Sequence, residues 1–270
     1  ETLAFTGAAS VIKDLSFDTL DLSTGSNADS ITFGSGYTKA STVKVDAGDS
    51  AINGAKISMT VTGVAADLQS ADGTIISGSS STTNDSITVE ADGSTVATAS
   101  RITNVNTITV GDGGDATTGS TKLSGDDFTI DLASYGTALT IDASALDAAN
   151  KDNDADGDID SSDSSAEKLV ITGTSAKALT VTGGSSDDTI IGSNDTAAGD
   201  TLKGGSGADT FTMGAGNLTY LDTIDGGSGT DTITVTQDVT DVDFMKVSNV
   251  ETLTIDEGDV STNVLGAYFN

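Results

Sequence analysis

The fold that we expect for this chain follows from residues 183–234, GGSSDDTIIGSNDTAAGDTLKGGSGADTFTMGAGNLTYLDTIDGGSGTDTIT. This stretch contains the nonapeptide G-G-x-G-x-D-x-U-x, where U is a large apolar residue, in full at Gly204–Thr212 and Gly226–Thr234. A third copy, Gly183–Ile191, departs from the pattern only at Ser186, which stands in the third glycine slot. The chain therefore carries an internal repeat and not an isolated glycine-rich loop.

Two weaker copies, Asp195–Lys203 and Asn217–Asp225, fill the intervals, so the strong copies occupy every second unit. In each unit the first six residues favour a turn, because glycine adopts backbone angles that are closed to residues with a Cβ. The last three residues favour a short strand with its apolar residue pointing inward. These inward residues are predicted to be Ile190, Leu202, Phe211, Ile224 and Ile233.

Two such units make one coil of a flattened solenoid, so every second turn stacks on the same edge. The stacked turns bring carboxylates and peptide carbonyls together, and these would repel each other unless an oxygen-seeking cation lay between them. The candidate metal ligands at this edge are Gly183, Ser185, Asp187, Asp188, Gly205, Gly207, Asp209, Gly227, Gly229 and Asp231.

On these residues the chain resembles the RTX (hemolysin-type) calcium-binding repeats of exported bacterial proteins. The resemblance implies an all-β fold, a right-handed parallel β-roll or β-helix solenoid with calcium-binding turns. It also implies several bound calcium ions, and we expect the edge that holds the weaker units to bind calcium weakly or not at all. A Gly/Asp-rich surface loop is the alternative reading of the same stretch.

Composition limits the possible functions. The formal net charge is −30, from 41 acidic and 11 basic residues, and nearly all of the acid is aspartate. Such a charge repels nucleic acid and anionic lipid, so neither is expected as a direct partner, and divalent cations are the implied counterions. The chain has no Cys and no His, which excludes disulfides, thiolate chemistry and a Ser-His-Asp triad.

The N-terminal part favours many short strands in degenerate repeats. Around Ala91–Ser94, the stretch Ile87–Thr98 predicts a β-hairpin, so we expect a non-solenoid insertion near residues 51–100. We divide the chain into a solenoid-like segment 1–110, an acidic calcium-loop region 111–168, and an RTX β-roll with a terminal strand at 169–270. Aromatic residues make up only 4% of the chain, which suits the small inward layers of a solenoid.

A second acidic motif, DNDADGDIDSSD at 152–163, resembles an EF-hand loop, with Gly157 at the sharp turn and Ile159 in the apolar slot. The aspartate in its last position is shorter than the usual glutamate, and the flanking sequence favours a loop on a β scaffold. The glycine-rich loop 111–127 is either a further calcium turn or a solvated loop. The candidate ligands in the EF-hand-like loop are Asp152, Asp154, Asp156, Asp158, Asp160 and Asp163.

A longer internal repeat relates Ile102–Val110 (ITNVNTITV) to Val247–Ile255 (VSNVETLTI), with Asn104 aligned to Asn249. The N-terminal ETLAFTG also echoes the ETLTIDEG that begins at Glu251. We therefore expect the chain to be a segment of a longer repetitive protein.

Together these features are similar to type I-secreted RTX-type surface-layer (S-layer) proteins. The resemblance implies a secreted, structural, self-assembling protein of the bacterial cell surface that needs calcium to fold outside the cell. Contact with cell-surface polysaccharide or lipopolysaccharide would come through parts beyond this chain. The alternatives are the calcium-rigidified stalk of an RTX adhesin or biofilm-matrix protein and, less favoured, a β-helix enzyme that degrades polysaccharide. No H-E-x-x-H or G-x-S-x-G motif is present, so we expect no catalytic role.

Overall fold

The computed structural model describes residues 102–111, 128–146, 168–236 and 239–256, and before residue 102 the backbone of seven short strands. Those seven are β1 Thr2–Ala4, β2 Thr19–Asp21, β3 Ser30–Phe33, β4 Ser58–Val61, β5 Ile76–Ser77, β6 Ser86–Glu90 and β7 Thr95–Thr98. The strands that follow are β8 Ile102–Thr103, β9 Thr107–Gly111, β10 Phe128–Asp131, β11 Leu139–Asp142, β12 Leu169–Thr172, β13 Leu179–Thr182, β14 Thr189–Ile191, β15 Thr201–Ser206, β16 Thr210–Met213, β17 Thr223–Ser228, β18 Thr232–Val235, β19 Val247–Ser248 and β20 Thr252–Ile255.

The described residues form strands and turns, without a helix, and every strand pairing among them is parallel. The first sheet has nine strands in the order β19-β17-β15-β13-β11-β9-β6-β4-β3. The second sheet has seven, in the order β20-β18-β16-β14-β12-β10-β7. From β9 onward successive strands alternate between the two sheets, so two strands make one coil. The predicted all-β parallel solenoid architecture is confirmed, whereas its handedness stays a prediction.

The strands form because apolar and threonine residues alternate along them. In β10 and β11, FTID and LTID, the apolar residues are buried and the polar residues are partly exposed. Threonine suits these outer positions because its branched Cβ favours extended backbone. Parallel pairing in register stacks like residues, so Thr210 lies beside Thr232 on the outside and Phe211 beside Ile233 on the inside.

One hydrophobic core lies between the sheets and includes inward-facing residues from both of them. The five apolar residues predicted from the nonapeptides to point inward are all fully buried, as expected. Each coil therefore buries its apolar residues against the next, as in other repeat proteins.

The predicted hairpin between residues 87 and 98 is wrong. Strand β6 pairs in parallel with β4 and β9 in the first sheet, whereas β7 pairs in parallel with β10 in the second sheet. The chain therefore passes from one sheet to the other between β6 and β7 instead of reversing within one sheet. Strands β4, β6 and β7 thus belong to the two sheets, so the expected insertion near residues 51–100 is not supported there. The proposed domain division stays a prediction.

The longer internal repeat corresponds to a shared local turn. Asn104 and Asn249 both have positive φ, 55° and 51°, which asparagine tolerates better than most residues with a side chain. The valine that follows each of them, Val105 and Val250, is buried. The two copies nevertheless serve different sheets, because the first leads into β9 of the first sheet and the second into β20 of the second sheet.

Glycines in the two complete nonapeptides let neighbouring turns stack at backbone contact. Gly205 and Gly227 have φ of 113° and 101°, and they lie opposite each other in the register of β15 and β17. A Cβ at Gly227 would overlap the carbonyl oxygen of Gly205, and a Cβ at Gly205 would overlap the carbonyl oxygen of Gly184. These positions therefore require glycine for two independent reasons, conformation and space.

Alanine substitutions should separate these two reasons. Gly216 has φ 77° but open space around it, and Gly136 has open space without a positive φ. We expect Gly216→Ala to cost about 1–2 kcal/mol of stability, because only conformation opposes it. Gly136→Ala should be neutral or stabilising by about 0.4–1 kcal/mol. Gly227→Ala, which meets both obstacles, should cost more than either. Denaturant midpoints measured in calcium buffer check the order, and equal midpoints for Gly227→Ala and Gly136→Ala would contradict it.

Candidate metal-binding site

The turns that lead from the first sheet to the second lie along one edge of the molecule, which we call the acidic edge. Between residue 168 and the end of the described chain it comprises residues 183–188, 204–209, 226–231 and 249–251. The predicted EF-hand-like loop connects β11 of the first sheet to β12 of the second, so its flanking residues Leu146 and Lys168 reach this same edge. The loop itself, with its six candidate aspartates at 152–163, lies outside the described residues, as does 112–127.

Four acidic residues of the acidic edge form a continuous stack. The backbone N–H of Leu169 donates to Oδ1 of Asp188 (2.7 Å), and that of Asp188 donates to Oδ1 of Asp209 (2.8 Å). In the same way Asp209 N–H donates to Oδ1 of Asp231 (2.8 Å), and Asp231 N–H donates to Oε2 of Glu251 (2.7 Å). Each carboxylate thus holds the backbone of the preceding coil, which places the three repeat aspartates in register.

The second oxygens of these carboxylates are not equivalent. In the incomplete nonapeptide, Oδ2 of Asp188 accepts a hydrogen bond from Gly184 N–H (2.7 Å). In the two complete copies, Oδ2 of Asp209 and Oδ2 of Asp231 are buried and have no hydrogen-bond partner among the described residues. The second glycines of those copies, Gly205 and Gly227, have positive φ, unlike Gly184, and make no such bond. Buried oxygens without a partner are rare in proteins and call for an explanation.

Peptide carbonyls converge on the same two oxygens. A Cβ at Gly204 would overlap Oδ2 of Asp209 and would lie 2.6 Å from the carbonyl oxygen of Gly226. A Cβ at Gly226 would lie 2.5 Å from Oδ2 of Asp231 and would overlap the carbonyl oxygen of Asn249. Each glycine thus leaves room for a carboxylate oxygen and a carbonyl oxygen to approach one point, and neither oxygen can donate a proton when the carboxylate is ionised.

This donor set fits a hard cation. Among the described residues no three acidic side chains come together as a cluster, so a metal here would be held by single carboxylate oxygens together with peptide carbonyls. Calcium commonly combines these two kinds of oxygen. The buried oxygens of Asp209 and Asp231 are therefore the atoms that could hold a cation on these turns, and its binding stays a prediction.

Burial also changes the protonation of the stack. Removal from water raises the pKa of Asp209, the Asp188 N–H lowers it, and the neighbouring Asp188 and Asp231 carboxylates raise it again, so that the pKa is about 7. Burial likewise raises the pKa of Asp188, which is about 6. Burial also raises the pKa of Asp231, and the charges of Glu251 and Asp225 raise it as well. Without a cation, protonation is the route by which the stack relieves its repulsion.

The calcium-free chain should therefore lose stability as the pH rises. A raised carboxyl pKa means that the folded chain keeps protons that the unfolded chain releases near pH 3.8, so the stabilisation is complete below that value. It is lost progressively as the pH rises through about 7, the pKa of folded Asp209. Denaturant unfolding in chelator between pH 3.5 and 8.5 measures this dependence.

Asp209→Asn should flatten that pH profile, since Asn keeps an oxygen that can accept the Asp188 N–H but cannot titrate. Asp256→Asn removes the same charge from an exposed position and serves as the control. A chelator profile for Asp209→Asn that is as steep as that of the unsubstituted chain would contradict the assignment.

The opposite edge, where turns lead from the second sheet back to the first, also buries carboxylates but supplies them with hydroxyl donors. Oδ1 of Asp200 accepts from Leu179 N–H and from the Ser193 hydroxyl (both 2.8 Å), and Oδ2 accepts from Ser193 N–H (2.7 Å). Oδ2 of Asp222 accepts from the N–H (2.6 Å) and hydroxyl (3.1 Å) of Thr219.

We call this the hydroxyl edge, comprising residues 192–200, 214–222 and 239–246. Its last turn repeats the arrangement at an exposed position, with the Thr240 N–H and hydroxyl on Oδ2 of Asp243 (2.8 and 2.9 Å). The Oδ2 atoms of Asp200 and Asp222 accept hydrogen bonds from the protein, whereas those of Asp209 and Asp231 have no partner among the described residues. That difference gives a physical basis for the prediction that the edge with the weaker units binds little or no calcium.

Removing one hydroxyl donor should destabilise the chain to the same extent with and without calcium. Thr219→Val keeps the shape but deletes the hydroxyl bond to buried Asp222, and we expect a loss of about 1–3 kcal/mol. Thr196→Val, at an exposed position of the same edge, is the control. Unfolding measured in calcium, and in chelator at a pH low enough for the acidic stack to be protonated, checks this, and a loss confined to calcium buffer would contradict it.

The structure places the other predicted ligands around the stack. Ser185 N–H donates to the Leu146 carbonyl (3.0 Å), and Gly183 N–H to that of Lys203 (2.8 Å). Oδ1 of Asp187 lies outside the stack and accepts from Ala208 N–H (2.7 Å). A Cβ at Gly229 would overlap the Gly207 carbonyl, so these two predicted ligands are stacked as well.

Sequence reasoning missed Glu251 and the carbonyls of Gly226 and Asn249. The sequence contained one signal for the different turn before β20. It was the aligned pair Asn104 and Asn249, which marks a turn built on asparagine and valine instead of glycines. The nonapeptide pattern alone could not show that Glu251 would end the stack.

Comparison of the chain with protein-family models, with curated proteins and with solved structures finds no match. Within the described part of the chain, no helix has the length and apolar character needed to cross a membrane. Function is therefore argued from the site itself.

Proposed function

We propose that this chain is a structural, calcium-dependent component of a bacterial surface layer, which folds and self-assembles outside the cell when it binds several calcium ions. The observation that carries the proposal is the pair of buried carboxylate oxygens, on Asp209 and Asp231, that have no hydrogen-bond partner in the described part of the chain and face peptide carbonyls. The resemblance of the same turns to RTX repeats and the net charge of −30 support it.

The choice of calcium follows from the donor atoms. Carboxylate and carbonyl oxygens suit hard cations, and calcium accepts irregular sets of six to eight oxygens more readily than magnesium, which needs near-octahedral geometry. The chain has neither Cys nor His, so it lacks the thiolate and imidazole ligands that favour zinc.

When bound, calcium supplies positive charge between successive turns of the acidic edge. The chain's own residues do the rest: the aspartate Oδ1 atoms fix the spacing of the coils through backbone N–H groups, and the glycines admit the carbonyls. A ligand at about 100 times its dissociation constant stabilises the folded state by about 2.7 kcal/mol per site. Because each coil contacts mainly its neighbours, several such sites would stabilise the whole roll.

This requirement for calcium suits a protein that passes through a secretion channel before it folds. Calcium is scarce in the cytoplasm and abundant outside, so the acidic turns favour the unfolded chain inside and the folded chain outside. Type I secretion to the cell surface is the proposed route. Partners would be calcium and other copies of the chain in a lattice, while anchoring to polysaccharide or lipopolysaccharide would use other parts of the protein.

A calcium titration of the purified chain tests the proposal. We expect circular dichroism to show cooperative formation of β-structure with calcium, and light scattering then to show growing assemblies. Magnesium at the same concentration is the control for ionic strength and charge. Asp209→Asn should shift the calcium midpoint upward at least about tenfold, since the charge and number of ligands set affinity.

The outcomes divide the alternatives. A chain that folds with calcium but stays monomeric would favour the stalk of an RTX adhesin or biofilm-matrix protein over a surface layer. Equal responses to calcium and magnesium, or the same stability in chelator as in calcium at neutral pH, would overturn the proposed role of calcium. Hydrolysis of acidic polysaccharide by the calcium-loaded chain would favour the enzyme alternative.

A further inference from the structure

The acidic stack ends differently from the way it repeats. Up to Asp231 each turn is followed by another turn with an aspartate in the same place, but the last described coil has Asn249-Val250-Glu251 instead. The register pairs Ile224 with Val247 and Asp225 with Ser248, so Asn249 follows directly where Gly226 begins the six-residue turn of the coil before. Three residues thus replace six, and the outward part of the glycine-rich turn is lost.

Glu251 makes up for the shorter turn with its longer side chain. Its Oε2 accepts the Asp231 N–H at 2.7 Å, within the 2.7–2.8 Å of the three aspartate bonds before it. Glu251 as a residue is exposed, unlike the aspartates. It therefore continues the stack at a position that is less buried than the three before it.

Asn249 supplies a carbonyl in the place that Gly226 occupies one coil earlier. A Cβ at Gly226 would overlap the Asn249 carbonyl oxygen and would lie 2.5 Å from Oδ2 of Asp231. Asn249 is held there by its positive φ of 51° and by a hydrogen bond from its Nδ2 to Oδ1 of Asp225 (2.7 Å). The carbonyl is thus fixed beside a buried carboxylate oxygen for which the described residues supply no hydrogen-bond partner.

We propose that Asp231, Glu251 and the Asn249 carbonyl form a terminal calcium site that closes the acidic stack without a second nonapeptide turn. Two carboxylates and one carbonyl provide an all-oxygen set whose charge a single divalent cation balances. This inference rests on the proposed function, because it assigns the same cation to a different set of ligands.

The other copy of the Asn-Val turn provides an internal comparison. Asn104-Val105-Asn106 has the same left-handed asparagine and the same buried valine, but it leads into the first sheet and carries an uncharged Asn106 where the later copy has Glu251. The turn geometry therefore does not require a carboxylate. The copy that carries one is the copy that lies on the aspartate stack.

The number and affinity of bound calcium ions test the terminal site. We would measure calcium by equilibrium dialysis with elemental analysis, and stepwise affinities by calorimetry, on the full chain. Glu251→Gln keeps an oxygen that can accept the Asp231 N–H and removes the charge. We expect it to lose one calcium ion at saturation, or to weaken one step at least about tenfold. Asp256→Asn, an exposed charge removal five residues later, should match the unsubstituted chain.

Glu251→Asp provides a second test that does not depend on how well the glutamine variant folds. It keeps the charge but shortens the side chain by one methylene, so the carboxylate should no longer reach both the Asp231 N–H and the cation. We expect its affinity for one calcium ion to fall, while circular dichroism in excess calcium stays that of a β-protein.

The two proposals fail in different ways. If the unsubstituted chain binds no calcium, the proposed function fails and the terminal site fails with it. If Asp209→Asn loses calcium while Glu251→Gln and Glu251→Asp bind as many ions as tightly as Asp256→Asn, the terminal site alone is overturned. A loss in both Glu251 variants, with none in Asp256→Asn, supports it.

Discussion

The hydrogen bond from the backbone N–H of one aspartate to the carboxylate of the next constrains the rest of this fold. It repeats along the acidic edge from Leu169 to Glu251 with nearly constant length. Because it joins residues about one coil apart, it fixes the stacking distance of the turns while the sheets fix that of the strands. The same bond forces one carboxylate above another in a buried environment, which is costly when the groups are charged.

The two edges solve this problem in different ways. On the hydroxyl edge, Ser193 and Thr219 place a hydroxyl and an N–H on the buried carboxylates of Asp200 and Asp222, so the protein itself satisfies them. On the acidic edge the complete nonapeptides use glycines at those places, and Asp209 and Asp231 keep an oxygen without a donor. On the acidic edge, therefore, a proton or a cation from solution would have to satisfy these carboxylate oxygens.

The incomplete nonapeptide lies between these two solutions. Ser186 replaces the third glycine, Gly184 lacks a positive φ, and its N–H satisfies Oδ2 of Asp188. One substitution in a turn can thus accompany a change from a carboxylate oxygen without a donor to one that accepts a backbone N–H. Degenerate repeats are therefore physically different from complete ones, and the number of pattern matches in a sequence overstates the number of equivalent sites.

Residue patterning alone is enough to predict the strand class, the inward-facing residues and the alternation of two edges. Apolar residues recur in fixed places after each glycine-rich turn, and burial of those residues is a local consequence of the period. It also placed Asp188, Asp209 and Asp231 on one edge, because the coil length follows from the spacing of the repeats. The EF-hand-like loop and the calcium itself remain predictions from pattern.

The tertiary structure is needed to show which strands pair and which carboxylate oxygens lack a hydrogen-bond donor. The sequence of residues 91–94 is compatible with a hairpin and with a connection between sheets, and the pairing of β6 with β9 and of β7 with β10 selects the second. Whether Oδ2 of an aspartate finds a donor depends on the φ of a glycine and on the neighbouring coil, neither of which a nonapeptide specifies. Glu251 joins the stack for the same reason: its place is set by strand register, which involves residues that are far apart in the chain.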